Sequence, residues 1–400
     1  MGLANKIPVP DFAGIPEKST LDTLGLYVHV PFCSHACDFC AFYQVEPRRD
    51  DIDRYLATIE REFALVAAEP CQTVFWGGGT PGLLPARDLE RLARAQVARF
   101  GQPTHEWTIE LAPGSVREDK LQVLREVGVT RVSLGVQSFA PGMLEALGRR
   151  HSLAQVREAW RLIEAAGFPH RNVDLIFAVP GQTIESWAED LDEAAAIGAD
   201  HISCYCLTFE EDTALFVRLS EGKVRLDVER ERAFYETTWD RLAAHGFVHY
   251  EISNYARPGH ACLHNLHTWH MGRWQGFGPS AASQERTWRG SNVADLAAWC
   301  DDVARGTRGT VDRATLDAAQ LAEDALIFGL RMNAGVSLPL LRARFGAATL
   351  APFEPVLRTL IGDGFVQPLP GEVLALTREG RLVADAVGAE LLGLAHSARP

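Results

Sequence analysis

TVFWGGGTPGLLPARDLERLARAQVARFGQPTHEWTIELAPGSVREDKLQVLREVGVTRVSLGV (residues 73–136) runs one pattern twice and starts it a third time. A β-rich run, TVFW (73–76), meets a Gly/Pro break and then the helical spacing of ARDLERLARAQVARF (86–100). WTIEL (107–111), the breaker APG and REDKLQVLREVG (117–128) repeat it, and RVSLGV (131–136) opens the next unit. Upstream, LYVHV (26–30) precedes the helical stretch 51–68. Downstream, NVDLIFAV (172–179) and HISCYCL (201–207) alternate with helical stretches at 152–167, 185–198 and 227–246. Six strands, each followed by a helix, predict an α/β fold with a parallel sheet covered by helices and right-handed crossovers. Six units fall short of the eight that close a barrel. The expectation is an open, partial (β/α)6 barrel with its chemistry at the C-terminal ends of the strands.

The chain has 400 residues, enough for two or three domains. Its 47% hydrophobic and 23% charged residues are ordinary for a globular protein, which excludes disorder, collagen and a small disulfide scaffold. A formal charge of -13 argues against a general nucleic-acid binder. Residues 1–20 read as an irregular, Pro-rich lead-in, and 21–253 as the strand–helix core. Lys6 and two prolines interrupt any signal-like apolar run. No stretch of about 18 uncharged apolar residues suggests a membrane span, so the expected location is cytoplasmic. The eight cysteines are then expected to be reduced. Residues 254–291, rich in Gly, His and Trp, lack clear periodicity and read as a connecting segment. Residues 292–400 read as a mostly helical C-terminal domain, winged-helix-like, with a hairpin at 364–377.

Chemistry concentrates in YVHVPFCSHACDFCAF (27–42). Cys33, Cys37 and Cys40 have the spacing C-x3-C-x2-C directly after the first strand. Three thiolates at this density can hold three irons of one cluster. A loop is required, because a regular helix or strand could not aim all three sulfurs inward. Two plainer readings stand beside this one: a structural zinc site completed by His35 or His29, and a chance cluster of small core thiols. Cys71 and Cys262 are too isolated in sequence to serve as a fourth ligand with any assurance.

The loop resembles that of the radical S-adenosylmethionine (SAM) superfamily. The longer pattern Y-x-H-x-P-F-C-x3-C-x-F-C is similar to the branch holding oxygen-independent coproporphyrinogen III oxidases and heme chaperones of the HemW type. The resemblance implies that Cys33, Cys37 and Cys40 hold a [4Fe-4S] cluster whose fourth iron takes SAM, and that an electron donor serves the cluster. It carries further residues to the SAM site. In WGGGTP (76–81) these are Gly78, Gly79 and Thr80; taken alone, the glycines suit a tight βα turn. Glu110 ends WTIEL, where an isolated acid is more often a cap or surface group. Gln137 in GVQSF (135–139) offers an amide donor and acceptor, and Arg149 in LGRRH (147–151) can pair with a carboxylate. Asp174 interrupts an apolar strand, which is costly for a charge without partners. Tyr27 and Phe39 match positions flanking the cofactor, although a lone aromatic is ordinarily core.

Phe42 stands where the oxidases carry a further cysteine, and only 26 residues precede Tyr27; both features resemble the heme-chaperone branch. That branch has an H-N-x-x-Y-W segment implicated in heme binding. This chain has HNLHTW (264–269), with Thr268 at the tyrosine position, and SAAS (280–283) where a second histidine is usual. His264 and Trp269 are the implied heme contacts, and His264, His267 and His270 would share one face if helical. The plain alternative is a Gly-rich loop with solvated histidines. Three functions are weighed. The first is a heme chaperone that keeps cluster and SAM, passes heme to heme-accepting proteins, and has no nucleic-acid partner or integral membrane segment. The second is a radical SAM enzyme acting on a porphyrin. The third is a zinc-bound, non-catalytic scaffold.

Overall fold

The six β-rich runs form six parallel strands whose residues alternate between two environments. The computed structural model describes residues 23–397 apart from 212, 225 and 226, so the lead-in at 1–20 lies outside the described residues. The strands are β1 (Leu24–Val30), β2 (Cys71–Gly78), β3 (Glu106–Leu111), β4 (Arg131–Gln137), β5 (His170–Phe177) and β6 (His201–Cys206). Val28, Trp76, Ile109, Leu134, Leu175 and Ile202 are buried in the main hydrophobic core. The intervening positions are polar or aromatic: Tyr27 pairs with Phe75, Glu110 with Ser133, and Asp174 with Ser203 in the ladder. Strands buried on both faces would read as continuous apolar runs. Alternation instead gives one face to the helical layer and the other to a polar interior.

The covering helices are α1 (Arg49–Ala64), α2 (Ala86–Phe100), α3 (Glu118–Val127), α4 (Pro141–Ala146), α5 (Leu153–Ala165) and α6 (Ile184–Ala196). Their starts are written locally. Ser152 and Thr183 accept hydrogen bonds from the third backbone N–H of α5 and α6, and Gln155 and Ser186 reciprocate as capping boxes. Two further helices follow, α7 (Ala214–Ser220) and α8 (Val228–Ala244), then the short strands β7 (Val248–Glu251) and β8 (Asn254–Ala256).

The sheet then grows at its other end. Helix α9 (Leu263–Trp269) leads to β9 (Arg273–Phe277), β10 (Ala282–Gln284) and β11 (Trp288–Asn292), and α10 (Leu296–Ala304) to β12 (Thr310–Thr315). The order is β12-β11-β10-β9-β1-β2-β3-β4-β5-β6-β8-β7, with β9 parallel to β1 and β8 antiparallel to β6. The sequence predicts a connector at 254–291 and a C-terminal domain from 292. Those residues instead continue the sheet, and α10 places Trp299 and Cys300 in the main core. Strands of three to five residues carry too few alternations to betray themselves in sequence. β12 and β7 are the two edges; β12 is largely exposed, with Asp312 in the left-handed region at φ 51°.

The sheet curls around α9 and the turn before it. His264 Nδ1 lies 2.9 Å from Thr73 Oγ1 on β2. The backbone N–H of His264 donates to Glu106 on β3 at 3.1 Å. Arg131 on β4 donates to the carbonyls of His260 and Ala261, each at 3.0 Å. Strands of one sheet that converge on one short segment enclose it, which defines a partial barrel. Thr73, Glu106 and Arg131 all stand at strand beginnings, so α9 floors the end opposite the cysteine loop.

A second core begins with α11 (Ala318–Arg331), then β13 (Val336–Ser337), α12 (Leu338–Phe345), α13 (Ala347–Leu350), α14 (Glu354–Gly362), β14 (Val366–Leu369) and β15 (Val373–Leu376). Its three strands order as β13-β15-β14, and the predicted hairpin is β14–β15. This domain grips the barrel at several places. Asn333 donates to His249 O at 2.7 Å, Asp324 pairs with Arg289 at 2.8 Å, and Phe328 packs on Trp269.

Candidate functional site

At the C-terminal ends of the strands, short loops bring the cysteines against the glycine turn. The loop leaves β1 through Pro31 and returns as a bridge between Phe32 and Val45. Cys33 N donates to Val45 O at 2.9 Å, and Val45 N donates back to Pro31 O at 2.7 Å. His29 braces it from below. It is buried, its Nε2 lies 3.1 Å from Tyr43 O, and its Nδ1 lies 3.2 Å from the Tyr27 hydroxyl. A carbonyl only accepts, so Nε2 carries the proton and Tyr27 donates to Nδ1. Burial holds His29 down at about 4, hence neutral. With both nitrogens engaged, His29 is a brace, and it is withdrawn as a possible zinc ligand.

The glycines are required by contact. A Cβ on Gly79 would stand 2.7 Å from Phe32 O, and one on Gly77 2.9 Å from Glu110 Oε2. Gly78 has φ 106°, and its Cβ would strike the His29 ring. Gly79 N and Thr80 N then donate to Val30 O and Phe32 O, at 2.9 and 2.8 Å. This places Thr80 Oγ1 3.6 Å from Cys33 Sγ.

Gln137 ends β4 at φ 71°, where the β4–β5 register shifts. A non-glycine residue in that region is strained, and such strain clusters at sites where it aims a side chain. Its amide and the Arg149 guanidinium both lean over Gly135: a Cβ there would lie 3.0 Å from Gln137 Nε2 and 3.8 Å from an Arg149 Nη. Arg149 also lies 5.5 Å from the Phe39 ring centre, and its Nε is buried without a partner. A buried guanidinium nitrogen lacking an acceptor is a donor available to a ligand.

All twelve residues assigned to the cluster and SAM therefore stand at one mouth. Burial pushes the Cys33 and Cys37 thiols up, while Arg149 pulls both down and the neighbouring thiols oppose it. Each cysteine of the trio is half-buried. Glu110 is pushed up to about 8 by burial and then by Asp174. Asp174 is likewise raised by burial, although Ser133, Ser203, Asn172 and Arg149 all favour its charged form. Two carboxyls, three thiols and one under-used guanidinium suit a thiolate-held cluster with a ligand carrying both cationic and carboxylate groups. The donor set fits that pair.

Further residues, not singled out by the motifs, support the mouth. Asn172, Ser133, Ser203 and Tyr205 occupy interior positions, and polar residues at every second place of a parallel strand were the available signal. The two implied heme contacts face different neighbours. His264 is buried against Thr73 and Phe75 inside the barrel floor. Trp269 packs on Phe328, with Arg331 4.9 Å from its ring centre. His264 and His267 are both packed; among the three spaced histidines of this segment, His270 alone is exposed.

Comparison with known proteins agrees with this geometry. The Radical SAM superfamily model matches residues 27–194, and the HemN C-terminal domain model matches 316–383, where the second core begins. Fold and site thus define a radical SAM protein with a HemN-type C-terminal domain. The heme chaperone HemW of Mycobacterium tuberculosis strain H37Rv is 36% identical, over 97% of this chain and 98% of that protein. HemW of Bacillus subtilis strain 168 is 31% identical over 92% and 98%. The chain belongs to the HemW family. The coproporphyrinogen III oxidase HemN of Escherichia coli shares the fold, with TM-score 0.80 over 93% of this chain and 90% of that one, at 23% identity.

Proposed function

We propose that this protein is a heme chaperone that holds a [4Fe-4S] cluster on Cys33, Cys37 and Cys40, binds SAM beside it, and passes heme to heme-accepting proteins. The observation that carries the reading is the convergence of Arg149, Gln137, Glu110 and Asp174 on the mouth that presents the three thiols. A bound cluster would supply a one-electron site with an open iron, fed by a separate electron donor. Arg149 would take the ligand carboxylate, Glu110 and Asp174 its cationic and hydroxyl groups, and Tyr27, Phe39, Gly78, Gly79, Thr80 and Gln137 would shape the pocket. The heme part is supported by the names of the family members. His264 and Trp269 remain the proposed contacts; because His264 is buried in the barrel floor, its use as a ligand requires α9 to loosen. We place the work in the cytoplasm, consistent with the absence among the described residues of a helix long and apolar enough to cross a membrane.

Anaerobic reconstitution with iron and sulfide tests the first half: about four irons per chain are expected, and zinc without iron would sink it. Heme titration tests the second. A sharp Soret band, weakened in His264→Ala, is expected, and an unchanged free-heme spectrum would refute binding. The complete SAM set keeps one rival alive, a radical enzyme acting on a porphyrin; SAM-dependent conversion of coproporphyrinogen would favour it.

A further inference from the structure

Behind Asp174 the barrel interior holds a continuous run of buried hydrogen bonds. Asn172 lies two places earlier on the same face of β5. Its Nδ2 donates to Asp174 Oδ1 at 2.7 Å and to Ser133 Oγ at 2.6 Å, and Ser133 donates to Asp174 Oδ2 at 2.7 Å. Ser203 Oγ lies 3.1 Å from the same nitrogen. On its other side, Asn172 Oδ1 is 2.6 Å from His201 Nδ1, and His201 Nε2 is 2.8 Å from the Tyr250 hydroxyl. Tyr250 accepts from Cys262 N at 3.3 Å, one residue before α9.

With Asp174 ionised, one orientation of the Asn172 amide and one tautomer of His201 fit the run from Asp174 to Tyr250. An ionised Asp174 only accepts, so the amide must turn its NH2 group toward it. The amide oxygen then faces His201, which must carry its proton on Nδ1. The bare Nε2 accepts from the Tyr250 O–H, leaving the Tyr250 oxygen to accept from Cys262. Asn172 is the pivot, because its NH2 group faces Asp174, Ser133 and Ser203 while its oxygen faces His201 and, at 3.4 Å, Ser203. Serine lacks that fork, and an acid reverses half of it.

We infer that Asn172 is a positioning residue, which fixes the Asp174 carboxylate as an acceptor with its outer lone pairs free, and which ties that orientation through His201 and Tyr250 to the start of α9. The inference rests on the reading of Asp174 as a SAM contact. Around Asp174 stand Glu110 from β3, Arg149 beyond α4, and Cys204 and Tyr205 from β6. His201 faces Arg131, His170 and His260, which with burial keep it neutral. Orientation is therefore set by hydrogen bonding against a crowded background, where losing one donor leaves the carboxylate to repack.

The test uses the full-length, cluster-loaded protein and SAM itself, with the dissociation constant measured anaerobically from about pH 6 to about pH 9. N172S is expected to weaken SAM about tenfold at neutral pH, the scale of one lost hydrogen bond to a charged group, with iron content unchanged and the melting temperature lowered, since His201 loses its buried partner. N172D is expected to bind near wild type at the acid end, where burial beside Asp174 keeps the new carboxyl protonated and its one O–H still donates to Asp174. Relative to wild type, whose own affinity rises as Glu110 ionises toward about 8, its affinity should fall about tenfold toward the alkaline end, where that carboxyl is ionised. D174N is the control. If D174N weakens SAM but both Asn172 variants follow the wild-type profile, the inference is overturned while the site reading stands. If D174N binds SAM as tightly as wild type, the site reading fails and the inference falls with it. If N172D does not fold, N172S decides the matter by affinity alone.

Discussion

Glu106 and Glu110 stand four residues apart on β3, on the same interior face, and are shifted in opposite directions. Both are penalised by burial. At the floor, Glu106 meets Arg131 Nε at 2.9 Å and accepts from the His264 N–H, and these overcome burial and hold it below the usual carboxylate range. At the mouth, Glu110 has a backbone N–H from Gly78 and faces another acid, Asp174, so it rises to about 8. One end of the barrel is thus electrostatically closed by the protein's own groups, and the other is left short of positive charge. A completed pair makes structure; an incomplete one awaits a ligand.

The two ends also respond oppositely to pH. Glu106, with its lowered value, contributes stability that is present above the ordinary glutamate range and lost as pH falls through its folded value. Glu110, with its raised value, takes stability away progressively as pH rises from the ordinary range near 4.5 to about 8.

The largest expected effect lies at the mouth. Cys37→Ala should leave almost no iron after anaerobic reconstitution, since two thiolates cannot hold the cluster, with little change in the melting of the metal-free protein. Retained iron would break the contrast outright. At the floor, Glu106→Gln or Arg131→Met should each destabilise by about 3–5 kcal/mol, the cost of leaving one buried charge unpaired. Urea melts should show the double variant recovering most of that loss, and strictly additive losses would contradict the pairing. A smaller effect sharpens the mouth. Because a bound cation favours the ionised form of Glu110, SAM binding near pH 7 should release a fraction of a proton. Calorimetry in two buffers of different ionisation enthalpy reads that release, which should vanish in Glu110→Gln; release unaltered in the variant would assign the proton elsewhere. Smallest of all, Arg161→Ala removes an exposed pair with Glu158 at 2.7 Å and should leave the urea melt superimposable on that of the wild type.

The six parallel strands were legible because their outer faces are apolar at every second residue and Gly or Pro marks their ends. The cysteines, glycines and Asp174 were legible because each is anomalous where it stands: clustered thiols, tripled glycine, a charge in an apolar run. β8 to β11 were not, since a strand of three or five residues takes its identity from the neighbour that pairs with it. The floor was hidden for a related reason. Nothing local announces that Arg131, at the start of a strand, will meet carbonyls some 130 positions later. His264 and Trp269 illustrate the limit of spacing: five residues apart on one helix, they are claimed by different partners, a strand of the barrel and a helix of the second domain.

A sheet of this width that never closes on itself leaves a lateral strand whose backbone could recruit a stranger. β12 is poorly suited to that. Asp312 breaks its extended path, Asp312 and Arg313 put opposite charges outward, and its register against β11 slips between Arg289 and Ser291. Such irregularity discourages edge-to-edge polymerisation, so the twelve-stranded wall can stay unsealed without seeding fibres.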